Sequence, residues 1–205
     1  MCIRDRSLIE DATPNITPIS SVGEFRLIEK LTKDFKCSNK DTVKGVGDDC
    51  AVIKSGKRCF GIGKIADIFG HRGISKSISG MPDDKLFDEM LSVIEKANTG
   101  DLIFANFVEF DTLYGHRRDV SGYARALESF DKKLPKLFSI LDREDFLVIT
   151  ADHGNDPSFA GTDHTREQVP VLIKNHNLIN NCYGLINFSD IGSLIENFLG
   201  LDAFE

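Results

Sequence analysis

Two short segments of this chain concentrate aspartate and histidine. The segment "TADHGNDPSFAGTDHT", residues 150–165, holds two Asp-His pairs and directly follows the apolar run "FLVI". In the other segment, Asp111 and His116 come after the apolar run "LIFANFVEF". Carboxylate oxygens and neutral imidazole nitrogens together suit Mn²⁺, Zn²⁺ or Fe²⁺, and oxygen-rich sites favour Mn²⁺ or Mg²⁺. The residue types therefore indicate a site for divalent metal ions.

The clustering also indicates what such ions would do. Two divalent ions about 3.5–4 Å apart stabilise the attacking and leaving oxygens of a phosphoryl transfer. Carboxylates gathered at one sheet edge repel one another unless cations neutralise them. A single Asp-His pair in a loop is more often a turn residue beside a solvated histidine. Several such groups, all placed after buried strands, favour the metal site over that alternative.

Both segments need a scaffold that brings them together. From residue 59 onward strand and helix signals alternate, which predicts a parallel sheet covered by helices. The runs 101–108 and 146–151 are continuously apolar, as is typical of strands buried on both faces. Ligands bind outside the carboxyl ends of strands in such sheets, so the two segments should meet there. The predicted strands are 59–65, 101–108, 146–151 and 169–174, and the predicted helices are 82–97, 120–141 and 188–200.

Two of the helices allow finer predictions. In helix 188–200, Ser189 is the expected N-cap and Gly200 the residue past the end. Helix 120–141 contains Pro135, and an internal proline usually kinks a helix. The apolar face of helix 120–141 is predicted to comprise Tyr123, Leu127, Phe130, Leu134, Leu137 and Leu141.

Composition excludes several kinds of partner. The chain is 41% hydrophobic and 28% charged, so it can bury a core. Its net charge of −7 argues against nucleic acid or an anionic membrane surface as a partner. Its apolar runs are too short to cross a bilayer. The five cysteines are scattered and odd in number, which predicts reduced thiols in a cytoplasmic protein.

The same segments carry a family resemblance. "TADHGNDPSFAGTDHTREQVPVLI", "NFVEFDTLYGHRRDVSGYARALESFDKKLPKL" and "GIGKIADIFGHRGISKSI" resemble the phosphopentomutase family of the alkaline phosphatase superfamily, over about residues 59–201. "DHG" occurs throughout the superfamily, whereas "GTDHTRE" and "GHRRD" are more specific. The resemblance implies an α/β three-layer sandwich with a mostly parallel sheet, here an incomplete alkaline phosphatase-like core.

The resemblance also implies the metals and the reaction. A complete site holds two Mn²⁺ ions, with Mg²⁺ as the other candidate. Asp152 and His153 correspond to ligands of one ion, and Asp111, His116 and His164 to ligands of the other. The implied enzyme is an isomerase of nucleoside salvage and catabolism. It moves a phosphoryl group between C1 and C5 of ribose or deoxyribose through a phosphorylated threonine.

Further polar residues near these motifs are candidates for phosphate contact or for orienting the ligands. They are Arg117, Arg118, Asp163 and Arg166. Surface pairing of the arginines with Asp119 and Glu167 is an equally good interpretation. Gly115, Gly154 and Gly161 fit turns that bring backbone close to the site.

The N-terminal part differs from the rest of the chain. Residues 1–16 begin "MCIRDRS", which resembles a translated sequencing adapter. Residues 17–58 contain "GEFRLIEKL" and "GVGDDCAVI", which resemble the N-terminus of thiamine-monophosphate kinases. Asp48 and Asp49 would then be the remnant of a Mg²⁺/ATP site, although a Gly-Asp turn is a strong alternative. We predict a chimaera joined at 55–58, in which a loosely attached head precedes a metal-binding core at 59–205.

Nothing in residues 1–58 matches the start of the family's pattern. That start comprises a strand with another metal-binding aspartate, the threonine nucleophile and a cap domain. We therefore expect a phosphopentomutase-type fragment, with pentose phosphate as the family's substrate, that is inactive alone. One alternative is another metal-dependent phosphatase or phosphoglycerate mutase of the superfamily. The other is a metal-binding remnant without catalysis.

Overall fold

The computed structural model describes residues 51–176, 182 and 184–201. The predicted Mg²⁺/ATP remnant at Asp48 and Asp49 lies outside the described residues and stays a prediction. The helices are α1 (Ala51–Lys54), α2 (Ile65–Ile68), α3 (Asp83–Ile94), α4 (Val120–Ile140) and α5 (Phe188–Leu199), with a π-helix at Phe110–Gly115. The strands are β1 (Cys59–Ile62), β2 (Lys76–Ile78), β3 (Leu102–Ala105), β4 (Leu147–Ile149) and β5 (Leu172–Lys174). This alternation confirms the α/β prediction.

The strands form two groups. β2, β1 and β3 make a parallel sheet in that order, in which Phe60 pairs with Lys76 on one side and with Ile103 on the other. β4 and β5 pair antiparallel, so the predicted strand 169–174 does not continue the parallel arrangement. β3 and β4 are half-buried, which contradicts the expectation of burial on both faces. β1, which is paired along both edges, is buried throughout, whereas β3 and β4 each pair with a described strand along one edge only.

The apolar core lies between the parallel sheet and two helices. Ile62 of β1 is fully buried against α3, and Leu137 of α4 closes the cluster from the other side. The residues that α3 contributes are Leu86, Phe87, Met90 and Leu91. Burying one such side chain stabilises the fold by about 1.5–3 kcal/mol, so this cluster is the main source of stability among the described residues.

Helix α4 follows the predicted apolar face with one exception. Phe130 and Leu134 pack on the core cluster, whereas Leu127 is 51% exposed. The prediction for Leu127 was wrong because α4 meets α3 along its C-terminal half, beyond that residue. The helix runs unbroken through Pro135.

The junction with the N-terminal segment is packed where it is described. The segment "VKGVGDDCAVIK" by itself predicts a glycine turn that leads into a strand. At residues 51–54 the chain instead forms the helical turn α1, so the strand prediction is wrong there. Val52 of α1 is fully buried and packs with Cys59.

Arg58 binds Asp101, whose side chain is only 2% exposed, through Nε at 2.9 Å and Nη2 at 2.5 Å. Burial alone would raise the pKa of Asp101, but hydrogen bonds from Arg58 and Asn98 and the Arg58 charge together lower it.

The last helix is capped differently from the prediction. Asn187 is its N-cap and forms a capping box with Asp190, so the assignment of the cap to Ser189 was wrong. Both residue types cap well, and sequence alone misplaced the first turn by two positions. Gly200 ends the helix with a φ of 63°, as predicted. Within the described ranges, no helix combines the length and apolarity needed to span a bilayer.

Candidate metal centre

The π-helix after β3 carries the first group of candidate ligands. Its entry is held by Asp83 at the start of α3, whose carboxylate accepts the N–H groups of Val108 and Glu109 at 3.2 and 2.8 Å. Burial raises the pKa of Asp83, although these hydrogen bonds work against the rise. The π-helix then presents Asp111 near its start, and His116 follows its end. π-helical turns occur frequently at functional sites.

Three of the candidate ligands lie close together. Nε2 of His116 lies 3.3 Å from Oδ2 of Asp111, and Nε2 of His164 lies 3.3 Å from Oδ1 of the same carboxylate. The two Nε2 atoms are 3.1 Å apart. Ligand atoms about 2.1 Å from an ion stand roughly 3.0–3.4 Å apart at octahedral or tetrahedral angles. The spacing of the two Nε2 atoms and the Asp111 carboxylate oxygens therefore fits a divalent ion held by all three residues.

The proton positions also suit a ligand role. Nδ1 of His116 lies 2.5 Å from the carbonyl oxygen of Thr162, and a carbonyl can only accept. Nδ1 therefore carries a proton, and in the neutral ring Nε2 is the nitrogen whose lone pair could bind an ion. A ligating histidine commonly donates its second nitrogen to a carbonyl in this manner.

The other predicted pair lies beside this group but is less constrained. The ring of His153 stacks on that of His164 with centroids 3.7 Å apart. Asp111, His153 and His164 offer ligand atoms that all lie within 4.8 Å of one another. Asp152 is 3.7 Å from Nε2 of His153, and its side chain is 58% exposed. The five predicted ligands thus gather at one place, with Asp152 on its open side.

Arg118 ties together the loops that carry the ligands. Its Nη1 contacts Asn155 Oδ1 at 2.7 Å and the carbonyl of Asp156 at 3.0 Å. Its Nη2 donates to the carbonyl of Asp163 at 2.5 Å, and its Nε donates to that of Gly161. The backbone of Arg118 has a φ of 54°, an unusual value for a residue with a side chain. Every one of these contacts is made to an uncharged acceptor of the loop after β4.

Asn155 links this arrangement to the ligands. Its Nδ2 donates to Oδ1 of Asp111 at 2.5 Å, while its oxygen accepts from Arg118. Asn155 is itself buried, with 7% exposure. Because it needs both a donor and an acceptor, only one orientation of the amide satisfies the two partners.

Two predicted close approaches of glycine are confirmed. A Cβ on Gly115 would lie 2.7 Å from Cγ of Asn155, which leaves no room for a side chain. A Cβ on Gly154 would lie 2.9 Å from the carbonyl oxygen of Thr165. Gly154 and Thr165 form a β-bridge, which brings the "DHG" and "DHT" segments side by side.

The remaining predicted residues lie at the rim. Arg117, Arg166 and Asp163 are exposed. The alternative of surface ion pairs with Asp119 and Glu167 is not seen among the described residues. Asp119 instead accepts the N–H of Gly122 at 2.8 Å as the N-cap of α4, and Glu167 accepts the hydroxyl of Thr165 at 2.5 Å.

Sequence reasoning missed part of the surroundings. Tyr123 was predicted only as a member of an apolar helix face, yet it lines a cavity of about 210 Å³ together with His153 and Glu167. Burial raises the pKa of Tyr123, and the charges of Asp111, Glu167 and Asp156 add to the rise. Asn155 was also missed, although it directly follows "DHG" in the sequence. For Asn155 the available signal is its place directly after "DHG", whereas Tyr123, inside α4, carries no comparable signal in the sequence.

The fold and the centre together define a class of protein. The chain matches the model of the metalloenzyme superfamily over residues 21–203 and belongs to that superfamily. Within it, the chain is similar to curated phosphopentomutases. It is 47% identical over 153 residues to that of Shewanella loihica and 50% identical over 148 residues to that of Sinorhizobium fredii. These alignments cover 74% and 72% of this chain but only 38% and 36% of the relatives.

A solved structure shows the same fold. A phosphoglycerate mutase of Leishmania mexicana, crystallised at low cobalt concentration, superposes with a TM-score of 0.61 at 20% sequence identity. The match covers 75% of this chain and 37% of that chain. The likeness supports the predicted alkaline phosphatase-like arrangement of the core.

Proposed function

We propose that residues 59–201 form the metal-binding part of a phosphopentomutase-type site, which interconverts the 1-phosphate and 5-phosphate of ribose or deoxyribose. The observation that carries this proposal is the convergence of Asp111, His116 and His164 at 3.1–3.3 Å. The similarity to phosphopentomutases over this same part of the chain supports the choice of substrate.

The ions in this proposal are Mn²⁺. Asp111, His116 and His164 would hold one ion, and Asp152 and His153 would contribute to a second. Mixed carboxylate and imidazole ligands suit Mn²⁺, and Mg²⁺ would bind less well where imidazole replaces oxygen. When bound, the pair would neutralise charge that develops on the phosphoryl oxygens.

The protein's own side chains supply the remaining functions in part. Arg117 and Arg166 are exposed near the ligand loops and make no ion pair with a described residue, so both are available to a phosphate. Two threonines beside the site, Thr165 and Thr162, make hydrogen bonds within the loops. The hydroxyl of Thr165 accepts the N–H of Asp156 at 2.6 Å and donates to Glu167, and the carbonyl of Thr162 accepts from His116. The hydroxyl of Thr165 is therefore already engaged and is not placed as the nucleophile that the proposed reaction requires.

The proposal therefore predicts that the 205-residue chain alone has no mutase activity. It would contribute ligands to a site whose nucleophile and sugar-phosphate contacts come from elsewhere. Positioning of reactants supplies about 7–11 kcal/mol of barrier reduction in favourable cases, and ions alone do not replace it.

The test is a graft. The matching segment of the Shewanella loihica phosphopentomutase is replaced by that of this chain, and conversion of ribose 1-phosphate to ribose 5-phosphate is followed with Mn²⁺ present. We expect activity in the graft and its loss in the graft that carries His164→Ala. The parent enzyme and a graft with the exposed Phe159→Ala change serve as controls.

Other results would favour the alternatives. A folded graft that binds Mn²⁺ but turns over 3-phosphoglycerate, or hydrolyses a phosphate ester without isomerising pentose phosphates, would contradict the proposed substrate. A folded graft that binds no Mn²⁺ would contradict the metal centre itself.

A further inference from the structure

The ligand-bearing loops are joined by a polar connection that the proposed function does not include. Asp111 follows β3, whereas His153 and His164 follow β4, and no described backbone ladder pairs these two strands. The relative position of the two ligand groups must therefore be set by side chains that cross between the loops. Arg118 and Asn155 make such crossings with hydrogen bonds of ordinary length.

We propose that Arg118 and Asn155 are positioning residues of the metal centre. Arg118 connects the loop after β3 to the loop after β4 by hydrogen bonds. Asn155 accepts a hydrogen bond from Arg118 and donates one to the carboxylate of Asp111. The inference rests on the proposed function, because it assigns these residues a role toward the ions of that site.

The chemistry of Asn155 supports this role. A buried amide that donates to Asp111 at 2.5 Å and accepts from Arg118 at 2.7 Å leaves Asp111 no freedom to rotate without breaking a bond. Leucine has nearly the same size but would remove both hydrogen bonds. The donated bond also takes up one lone pair of Oδ1, so the remaining lone pairs of the carboxylate face His116 and His164.

The contacts of Arg118 support it as well. Its guanidinium reaches carbonyls at Asp156 and Asp163 on the far loop, at 3.0 and 2.5 Å, and that of Gly115 on its own loop at 3.1 Å. Gly161, which also accepts from this side chain, has a φ of 88°. A planar fork of donors can hold several carbonyls at once, which the single ammonium of lysine cannot. The segment that ends at His164 is thereby held against His116.

The experiment measures Mn²⁺ binding by the 205-residue chain, with free Mn²⁺ followed by its electron paramagnetic resonance signal. Three variants disrupt the hydrogen bonds of Arg118 and Asn155 in different ways: Asn155→Leu, Arg118→Asn and Gly115→Ala. Asparagine is chosen at 118 because it tolerates the left-handed backbone that Arg118 adopts. Gly115→Ala keeps both Arg118 and Asn155 in the sequence, but the added Cβ would push the side chain of Asn155 out of its position.

We expect each variant to weaken the tighter Mn²⁺ binding by about 10–100-fold, as the loss of an outer-shell partner commonly does. Arg118→Lys should lose less affinity than Arg118→Asn, because its ammonium can still donate to part of the acceptors that the guanidinium reaches. Arg125→Gln, which removes an exposed charge on α4, should stay within about twofold of the wild type because solvent screens that charge.

A second readout separates positioning from general stability. Thermal unfolding is recorded for every variant, and binding is measured at a temperature where all of them are folded. A merely structural role would lower the unfolding temperature and leave the Mn²⁺ affinity of the folded chain unchanged. That outcome would overturn the inference while leaving the proposed function intact. A wild-type chain that is folded but binds no Mn²⁺ would overturn the proposed function and this inference together.

Discussion

The parallel sheet with α3 and α4 is held together by different forces from the loops that form the metal centre. In the sheet region, Phe87, Ile62 and Leu137 are almost completely excluded from water. At the centre, the candidate ligands keep 17–58% of their side chains exposed, and their contacts are polar. Apolar burial contributes stability without direction, whereas hydrogen bonds fix direction and contribute little net stability. The two regions should therefore respond to mutation in different measurements.

The largest effect is expected in the sheet region. Phe87→Ala removes a buried ring that contacts Phe107 and Phe130 at centroid distances of 6.0 and 5.7 Å. We expect the free energy of unfolding to fall by about 3–5 kcal/mol, measured by urea denaturation. Phe159→Ala, at a ring that is 60% exposed, should change it by less than about 0.5 kcal/mol. Equal losses in the two variants would show that burial does not distinguish these regions.

Removing a candidate ligand should lower the Mn²⁺ affinity strongly and change the stability of the fold little. His164→Ala removes one of three converging candidate ligands, and we expect the tighter Mn²⁺ affinity to fall more than about 100-fold, which is more than outer-shell changes usually cause. This corresponds to about 2.7 kcal/mol of binding free energy. Because the ring is 39% exposed, the unfolding temperature without metal should barely change. His71→Asn is the matched control, since that histidine is exposed, pairs with Asp67 elsewhere and has a left-handed backbone that asparagine tolerates.

A buried polar contact in the sheet region offers a third test. Asp101→Asn weakens the contact with Arg58 and should lower the free energy of unfolding by about 2 kcal/mol, as expected for hydrogen bonds to a charged group. The folded chain lowers the pKa of Asp101 below 3.8, so its stabilisation is complete above that pH and is lost as the pH falls through the lowered value. The variant should lack this part of the acid dependence.

Urea denaturation between pH 2.5 and 6 measures this difference. Asp88→Asn is the control, because its pair with Lys136 at 3.5 Å is exposed and should contribute less than about 1 kcal/mol. If the stability of the Asp101→Asn variant depended on pH as that of the wild type does, the Asp101 carboxylate would not be a source of the acid dependence.

The smallest expected effect lies within the centre. Asp152 is the most exposed of the five candidate ligands. The ion that it would help to hold should therefore bind at least about tenfold more weakly than the other, since fewer groups are pre-organised for it. Asp152→Asn should remove the weaker phase of a calorimetric Mn²⁺ titration and leave the tighter phase within about threefold. Two equally tight phases in the wild type would contradict this division of the site.

Much of this organisation could be predicted from residue order. Apolar periodicity located α3 and α4, and continuous apolar runs located β3 and β4. The Asp-His pairs after those runs indicated the candidate ligands, because the carboxyl ends of strands are where α/β sheets bind ligands. The end of α5 at Gly200 also followed from residue type, since glycine readily adopts a left-handed backbone.

Other features depended on neighbours that are distant in the sequence. Leu127 fits the apolar face of α4 by its spacing, but exposure depends on where α3 stops covering that face. The N-cap of α5 could be either of two good capping residues, and the position of the first turn selected Asn187 over Ser189. The antiparallel pairing of β5 with β4 also has no local signal, because strand direction is set by the path of the chain between them.

By itself, the sequence determined the kinds of atoms available at the centre and the strands that deliver them, because residue type and periodicity are local properties. Only the tertiary structure decided that Asn155 and Arg118 connect the two loops. Their partners are separated from them by 37 to 45 positions in the chain, and such a contact exists only once the strands are placed. The same reason applies to the 3.1 Å separation of the two Nε2 atoms, which depends on two loops that meet only in the folded chain.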